Sequence, residues 1–322
     1  MEIKHDIHTH STLSHCCYDP QATVANYIRR AAELGHTVFG LSNHLWDEKV
    51  AGASHWYKHQ NISYGLQQMD CVPADTCGVK ILCGTETEYF AAKDTVGMLA
   101  ETAKRFDYVL IPHTHMHMRN QVMPDNADTQ AIRSILAERI ASVLPELTED
   151  QVRRMANTLG YGEVDAMVDN AVFFPPTVDM VRYCADFMVD SFKALMANAE
   201  FEKIARTVPT SIAHPFHPCG FKRDMQKKII DAVSDEDLGD CFARAKALGV
   251  NIEINTGAFC HPENDYENEP FIRVMKLAKA AGCRFTFGTD THSLAGLDGI
   301  RKGDDISRIV GITQADLADI VK

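Results

Sequence analysis

The chain has 322 residues, 45% of them apolar, enough for one large barrel or two medium domains around a substantial core. Its 32 Lys and Arg against 44 Asp and Glu give a formal charge of −12, which argues against broad nucleic-acid binding, because that needs a basic footprint; a small anionic substrate at a metal stays compatible. No run approaches the roughly 20 apolar residues that span a bilayer, and no export signal opens the chain, so a cytoplasmic protein is expected. Its ten cysteines then read as reduced thiols rather than a disulfide framework. With no C-x-x-C pair, a thiolate zinc site is not expected, and Cys16 and Cys17 read as small residues packed in a loop.

Ile3 to Ile7 alternates as a first strand and delivers His8-Thr9-His10, whose two imidazoles share a face because side chains two apart on a strand point the same way. A turn with His15 follows, then a helix bracketed by Pro20 and Gly35, with Val24, Tyr27, Ile28, Ala31 and Leu34 on one face. Thr37 to Leu41 is a second strand and delivers His44. A polar, aromatic loop carries His55, Trp56, Tyr57 and His59, and Tyr64 to Met69 reads as a short helix. Lys80 to Cys83 is the third strand, delivering Gly84-Thr85-Glu86. Thr95 to Arg105 reads as helical, and Tyr108 to Ile111 is the fourth strand, ending in Pro112-His113-Thr114-His115-Met116-His117.

Residues 118–176 then carry no convincing strand. Helical spacing over Ile132, Ile135, Leu136, Ile140 and Val143, and a capping box at Thr148 and Gln151, predict a helical insertion. A long amphipathic helix over Thr177 to Ala199 leads to a fifth strand, Thr210 to Ala213, delivering His214. Helices over Met225 to Val233 and Asp237 to Leu248 precede a sixth strand, Val250 to Ile254, delivering Asn255. A helix over Phe271 to Ala281 precedes the seventh strand, Arg284 to Phe287, which delivers Gly288-Thr289-Asp290-Thr291-His292; a short helix follows Thr313.

Alternating strands and helices imply parallel βαβ units. Polar, chemistry-bearing residues at the end of every strand favour a closed barrel, whose site forms at the carboxyl ends of its strands, over an open sheet with one crevice. Residues 1–322 are therefore expected to form a single α/β domain, a distorted (β/α)7 TIM-like barrel, with 118–176 inserted over the barrel mouth. No dinucleotide or Walker loop is present.

His8, His10, His15, His44, Glu86, His113, His214, Asp290 and His292 are the candidate ligands. Imidazoles and carboxylates without thiolates suit zinc, manganese or iron, and nine candidates exceed the four to six positions of one ion, so two or three divalent ions with a bridging carboxylate are implied. Ions of this kind activate water near neutral pH and offset charge on phosphoryl oxygens. Glu88 competes with Glu86, and His115 and His117 compete with His113. His36 reads as surface, and His5 as lying on the outward face. His55, His59, His217 and His261 read as rim or surface, with His217 able to reach a substrate. Asn255 either holds a ligand or closes a turn.

His8-Thr9-His10, Ser42-Asn43-His44, Gly84-Thr85-Glu86, Ala213-His214-Pro215 and Gly288-Thr289-Asp290-Thr291-His292, in this order, resemble the motifs of the PHP (polymerase and histidinol phosphatase) family; Val250 to Thr256 resembles its sixth strand. The resemblance implies a trinuclear centre: one ion on His8, His10, Glu86 and Asp290; a second sharing Glu86 and adding His113 and His214; a third on His15, His44 and His292. The interval from His113 to His214 is longer than the family's usual spacing, and the histidines clustered after the fourth strand blur the register there. The implied activity is metal-dependent hydrolysis of a small phosphomonoester, similar to that of histidinol-phosphate phosphatases, with His15, Asp290 and His292 as catalytic groups. Arg119, Lys222, Arg223 and His217 are candidate substrate contacts. The rivals are an amidohydrolase-type carbon–nitrogen hydrolase, an exonuclease-like phosphodiesterase and a non-enzymatic metal-holding scaffold. The insertion either caps the barrel mouth or acts as a packing or dimer-forming appendage, so a homo-oligomer is one expectation.

Overall fold

The computed structural model describes residues 1–53, 56–116, 137–138, 141, 145–146, 148–152, 179–221, 223–259 and 269–322. The chain divides into two units, Met1–His113 with Phe192–Pro215 and Asp235–Lys322, and Thr114–Ser191 with Phe216–Ser234.

The first unit carries the strands. They run β1 (His5–Asp6), β2 (Val38–Leu41), β3 (Lys80–Cys83), β4 (Thr85–Glu86), β5 (Tyr89–Phe90), β6 (Thr95–Val96), β7 (Val109–Pro112), β8 (Thr210–Ala213), β9 (Asn251–Asn255) and β10 (Phe285–Gly288). The α-helices in chain order are α1 (Val24–Glu33), α2 (Ile62–Asp70), α3 (Ala100–Ala103), α4 (Met180–Ala197), α5 (Ala199–Ala205), α6 (Arg223–Ala232), α7 (Asp235–Leu248), α8 (Pro270–Ala280) and α9 (Lys302–Val310). Two all-parallel sheets form, in the orders β1-β2-β3 and β10-β9-β8-β7-β4, and β5 with β6 makes an antiparallel hairpin. The protein is thus a mixed α/β fold. The expected strands at β2, β3, β7, β8, β9 and β10 are all present; the first shrinks to two residues.

β7 and β8 are buried at every position, as strands of a parallel sheet covered on both faces are. Outside β2, helix α1 buries Val24, Tyr27, Ile28 and Ala31 at helical spacing against Phe39 and Leu41. Each large side chain so buried contributes about 1.5–3 kcal/mol. Thr23 caps α1 by accepting from Asn26 N–H. Tyr108, at the foot of β7, donates its hydroxyl to the carbonyls of Ile7 (2.7 Å) and Leu41 (3.1 Å). Its ring lies where a Cβ on Gly84 would stand, so glycine is required at the step between β3 and β4.

Four expectations change. Thr95 to Arg105 is not one helix. Asp94 takes a left-handed conformation, Thr95–Val96 pairs back on Tyr89–Phe90, and only Ala100–Ala103 is helical. The helix expected to run to Ala199 stops at Ala197, because the Asn198 side chain accepts from Glu200 and Phe201 N–H and starts α5. Lys302–Val310 is helical, ending at Gly311 in the left-handed conformation, and was not anticipated. His36 is buried rather than on the surface, and so is His5.

In the second unit, Thr148 and Gln151 form the expected capping box: Gln151 N–H donates to Thr148 Oγ1 and Thr148 N–H to Gln151 Oε1. α6 buries Ile229 and Ile230. The other helical expectations within 118–176 lie outside the described residues, as do His55, His117, Arg119, Lys222 and His261. Among the described residues the nine cysteines are free, and no helix is long and apolar enough to cross a membrane.

Candidate metal centre

Several of the parallel strands lead into residues whose side chains meet at one place in the first unit. Past β1, His8 and His10 lie on the same side of an extended segment. This segment is fixed by Ile7 N–H to Phe287 O (3.1 Å), Asp290 N–H to His8 O (2.8 Å) and His10 N–H to Thr291 O (2.9 Å). Past β2, His44 bridges in parallel to Glu86 on β4.

Seven of the nine candidates converge. His8 Nε2, His10 Nε2, Glu86 Oε2 and Asp290 Oδ1 stand 3.1 to 3.3 Å apart across five pairs. Glu86 also faces His44 Nδ1 through Oε2 and His214 Nε2 through Oε1, each at 3.2 Å. The rings of His44 and His292 stack on His10 at 4.3 and 4.4 Å, and His214 stacks on His8 at 5.9 Å. His8 Nε2, His10 Nε2 and Asp290 Oδ1 are mutually close enough to share one ion, and Glu86 Oε2 stands 3.3 Å from both imidazoles; buried or half-buried lone-pair donors so gathered fit a divalent cation. The two oxygens of Glu86 face different imidazoles, as a bridging carboxylate requires.

His113 is buried past the end of β7, edge-on to Phe192 at 5.2 Å. His15 is placed apart from the convergent group. Its ring meets Tyr64, His59 and Trp56 at 5.7, 6.2 and 6.4 Å, and the His15 backbone N–H donates to Gln60 Oε1. Of the expected substrate contacts, His217 and Arg223 belong to the second unit, where His217 Nδ1 lies 3.4 Å from Cys219 Sγ. The rival ligand His115 is in that unit as well and is buried. Asn255 closes a turn, its Oδ1 accepting from Gly257 N–H, and its amide donates toward Asp290 Oδ2 at 3.4 Å.

The groups around the ligands were not singled out from the sequence. Glu253 on β9, fully buried, accepts His8 Nδ1–H at 2.8 Å and His214 N–H at 2.7 Å. A carboxylate only accepts, so the proton of His8 sits on Nδ1 and Nε2 keeps its lone pair for the centre. The same logic applies at His292, whose Nδ1 donates to the carbonyl of Asp290 at 2.9 Å. Asp6 holds the strand end by accepting from His8 N–H, Thr289 N–H and Thr289 hydroxyl; burial pushes its carboxyl up to about 7. The available signal for Glu253 was a charge inside an otherwise apolar central strand, Ile252-Glu253-Ile254.

In the ion-free chain the charges balance through protons. Burial disfavours the His8 cation, but Glu253, Asp290 and Glu86 outweigh burial and hold its pKa well above the ordinary value. His10 is raised, since hydrogen bonds to Asp290 and Glu86 overcome burial. Conversely, the imidazoles outweigh burial at Glu86 and Asp290 and keep both well below the carboxylate range. His292 falls to about 4, through burial and then through His10. His214 and Asp290 have φ of 30° and 54°, left-handed conformations that cost about 1–3 kcal/mol each in non-glycine residues. They persist because Glu253 and the His8 carbonyl hold the two backbones in place.

A family model described as PHP domain matches residues 6–199. Among solved structures, histidinol phosphate phosphatase from Lactococcus lactis subsp. lactis Il1403, crystallised with zinc, L-histidinol and phosphate, superposes with a TM-score of 0.54 at 15% identity, covering 96% of this chain and 94% of that one. No curated protein matches the sequence.

Proposed function

The chain belongs to the PHP domain family, and on that footing we propose that it is a metal-dependent phosphoesterase acting on a small phosphomonoester. The observation that carries this reading is the convergence of His8, His10 and Asp290 at 3.1 to 3.3 Å, with Glu86 Oε2 3.3 Å from both imidazoles. In the proposed arrangement these four hold one ion, Glu86 is shared with a second held by His214 and His113, and His44 with His292 serves a third. Zinc, manganese and iron all suit such donors. When bound, the ions supply a Lewis-acidic surface that activates water and offsets phosphoryl charge.

The chain's own residues do the rest. Glu253 and the Asp290 carbonyl fix His8 and His292 in the tautomers that leave Nε2 available. His15 stands beside Tyr64, Trp56 and His59, where it protonates the leaving alcohol. Burial and then His59 depress its pKa, so the acid acts from the less populated cationic form of the imidazole. The aromatic rings around it suit a planar substituent on the alcohol; the histidinol and phosphate held by the structurally similar phosphatase make an imidazole-bearing phosphomonoester the first substrate to test. The proposed scaffold is one closed barrel: the bonds from β1 to β10 and the His44–Glu86 bridge support joining the two sheets.

The test is a panel of phosphomonoesters, with amides alongside, assayed after chelation and after re-addition of zinc, manganese or iron(II). Phosphate release that disappears with the metal and returns with it is the expected result. Undiminished turnover after complete metal removal overturns the reading.

A further inference from the structure

His15, Cys16 and Cys17 are consecutive and do three different things. The chain turns back after His10 through Ser14 N–H to Ser11 O (2.8 Å) and Cys17 N–H to Ser14 O (3.0 Å). Ser14 Oγ then accepts from His44 N–H at 3.3 Å and lies 3.4 Å from His10 Nδ1, tying the turn to both histidines. His15 points into the aromatic loop. Cys17 donates its thiol to the carbonyl of His292 at 3.2 Å. Cys16 faces the centre: its Sγ and one ring nitrogen each of His10, His44 and His292 lie within 4.8 Å of one another.

We propose that Cys16 is a thiolate ligand of the divalent ion held by His44 and His292, in the place that the family resemblance implies for His15. The inference rests on the metal-dependent reading above, and it assigns one more protein ligand to that centre. Two imidazoles and a thiolate make a three-donor zinc site with an open position. On binding, the Cys16 S–H bond breaks, an S–metal bond forms, and the proton leaves to solvent. A soft sulfur donor beside imidazoles favours zinc over manganese or magnesium at this position, so the ions of the centre differ in kind. It also makes the site sensitive to thiol reagents, which an all-imidazole site is not.

Cobalt(II) is the probe. Chelated full-length protein is titrated with cobalt(II), and the near-ultraviolet thiolate-to-cobalt charge-transfer band is followed with the visible ligand-field bands and the bound-metal stoichiometry. The band is expected to rise in wild type and in Cys17→Ser and to be absent in Cys16→Ser, which still binds cobalt with its affinity for one ion lowered by at least about tenfold. In a second measurement on wild type alone, cobalt slows iodoacetamide labelling of Cys16, read by peptide mass spectrometry, and leaves exposed Cys71 unchanged. Ligand-field bands without a thiolate band in wild type, or a band that survives in Cys16→Ser, overturn the proposal and leave the metal-dependent reading standing. Failure to bind cobalt at all defeats both.

Discussion

Glu253→Gln separates a structural from an orienting role for this buried carboxylate. Its two oxygens accept His8 Nδ1–H at 2.8 Å and His214 N–H at 2.7 Å. Glutamine has the same shape but one acceptor. If its oxygen serves His214, its NH2 faces His8 Nδ1; the imidazole must then carry its proton on Nε2, the atom that points at His10, Glu86 and Asp290. If its oxygen serves His8, the backbone N–H of His214, at φ 30°, loses its acceptor. Either way a charge-assisted bond of about 1.5–3 kcal/mol is lost, and in the second arrangement a buried donor faces a donor. Loss of such an orienting partner lowers metal affinity by about 10–100-fold, or about 1.4–2.8 kcal/mol. The assay is competition for zinc against a chelator of known affinity, with circular dichroism confirming the fold. A folded variant that binds zinc as tightly as wild type refutes the orienting role of Glu253.

The chelated protein should lose thermal stability as pH rises above neutral. His8 is raised above its ordinary value, so its contribution is complete below the unfolded pKa and is lost as pH rises through the folded one; metal-loaded protein should not follow, so the melting-temperature gap between the two forms widens with pH. His36→Leu should flatten the acid side of the stability profile. Burial depresses the His36 pKa to about 4, so between the unfolded value near 6.5 and that pH only the unfolded chain takes the proton and wild type loses stability, by at most about 3 kcal/mol. Urea midpoints at pH 7, 5.5 and 4.5 check this, and His5, lowered to about 3, leaves a residual slope. Gly288→Ala should destabilise by about 1–3 kcal/mol and weaken zinc binding, because the added methyl meets Glu253 Oε1 and the Cβ of His8; a variant with wild-type melting temperature and zinc affinity contradicts that packing.

The parts of the centre legible in the sequence were those that follow an apolar run. His8, His10, His44, Glu86, His214, Asp290 and His292 each come at a strand end, where a parallel fold gathers its polar residues. Glu253 was not legible as part of the centre because it lies at the middle of β9, where alternation alone marks it as facing solvent; in a strand buried on both faces, that position is interior. His15 and Cys16 are neighbours in a turn, and no periodicity tells which of them faces inward; only the tie of Ser14 to His10 and His44 decides it. The hairpin at Thr95–Val96 was read as helix because two-residue strands are too short to carry a period. The break at Asn198 turns on one side-chain cap inside an otherwise continuous amphipathic pattern.

What lets these side chains sit together is exchange of one counter-charge for another. Glu86 and Glu253 are fully buried, and Asp290 is partly covered; carboxylates so placed and left unpaired would cost several kcal/mol each. In the ion-free chain, protons on His8 and His10 supply the balancing charge, and the raised pKa values of those two imidazoles express it. A divalent ion among the same atoms displaces those protons and takes over their role, so affinity must fall as pH falls. The left-handed conformations of His214 and Asp290 are held independently of that exchange. Their backbones are anchored by Glu253 and by the His8 carbonyl, bonds that do not depend on which cation occupies the middle. The frame around the centre is therefore set by the backbone and by Glu253, and metal binding at these imidazoles releases protons.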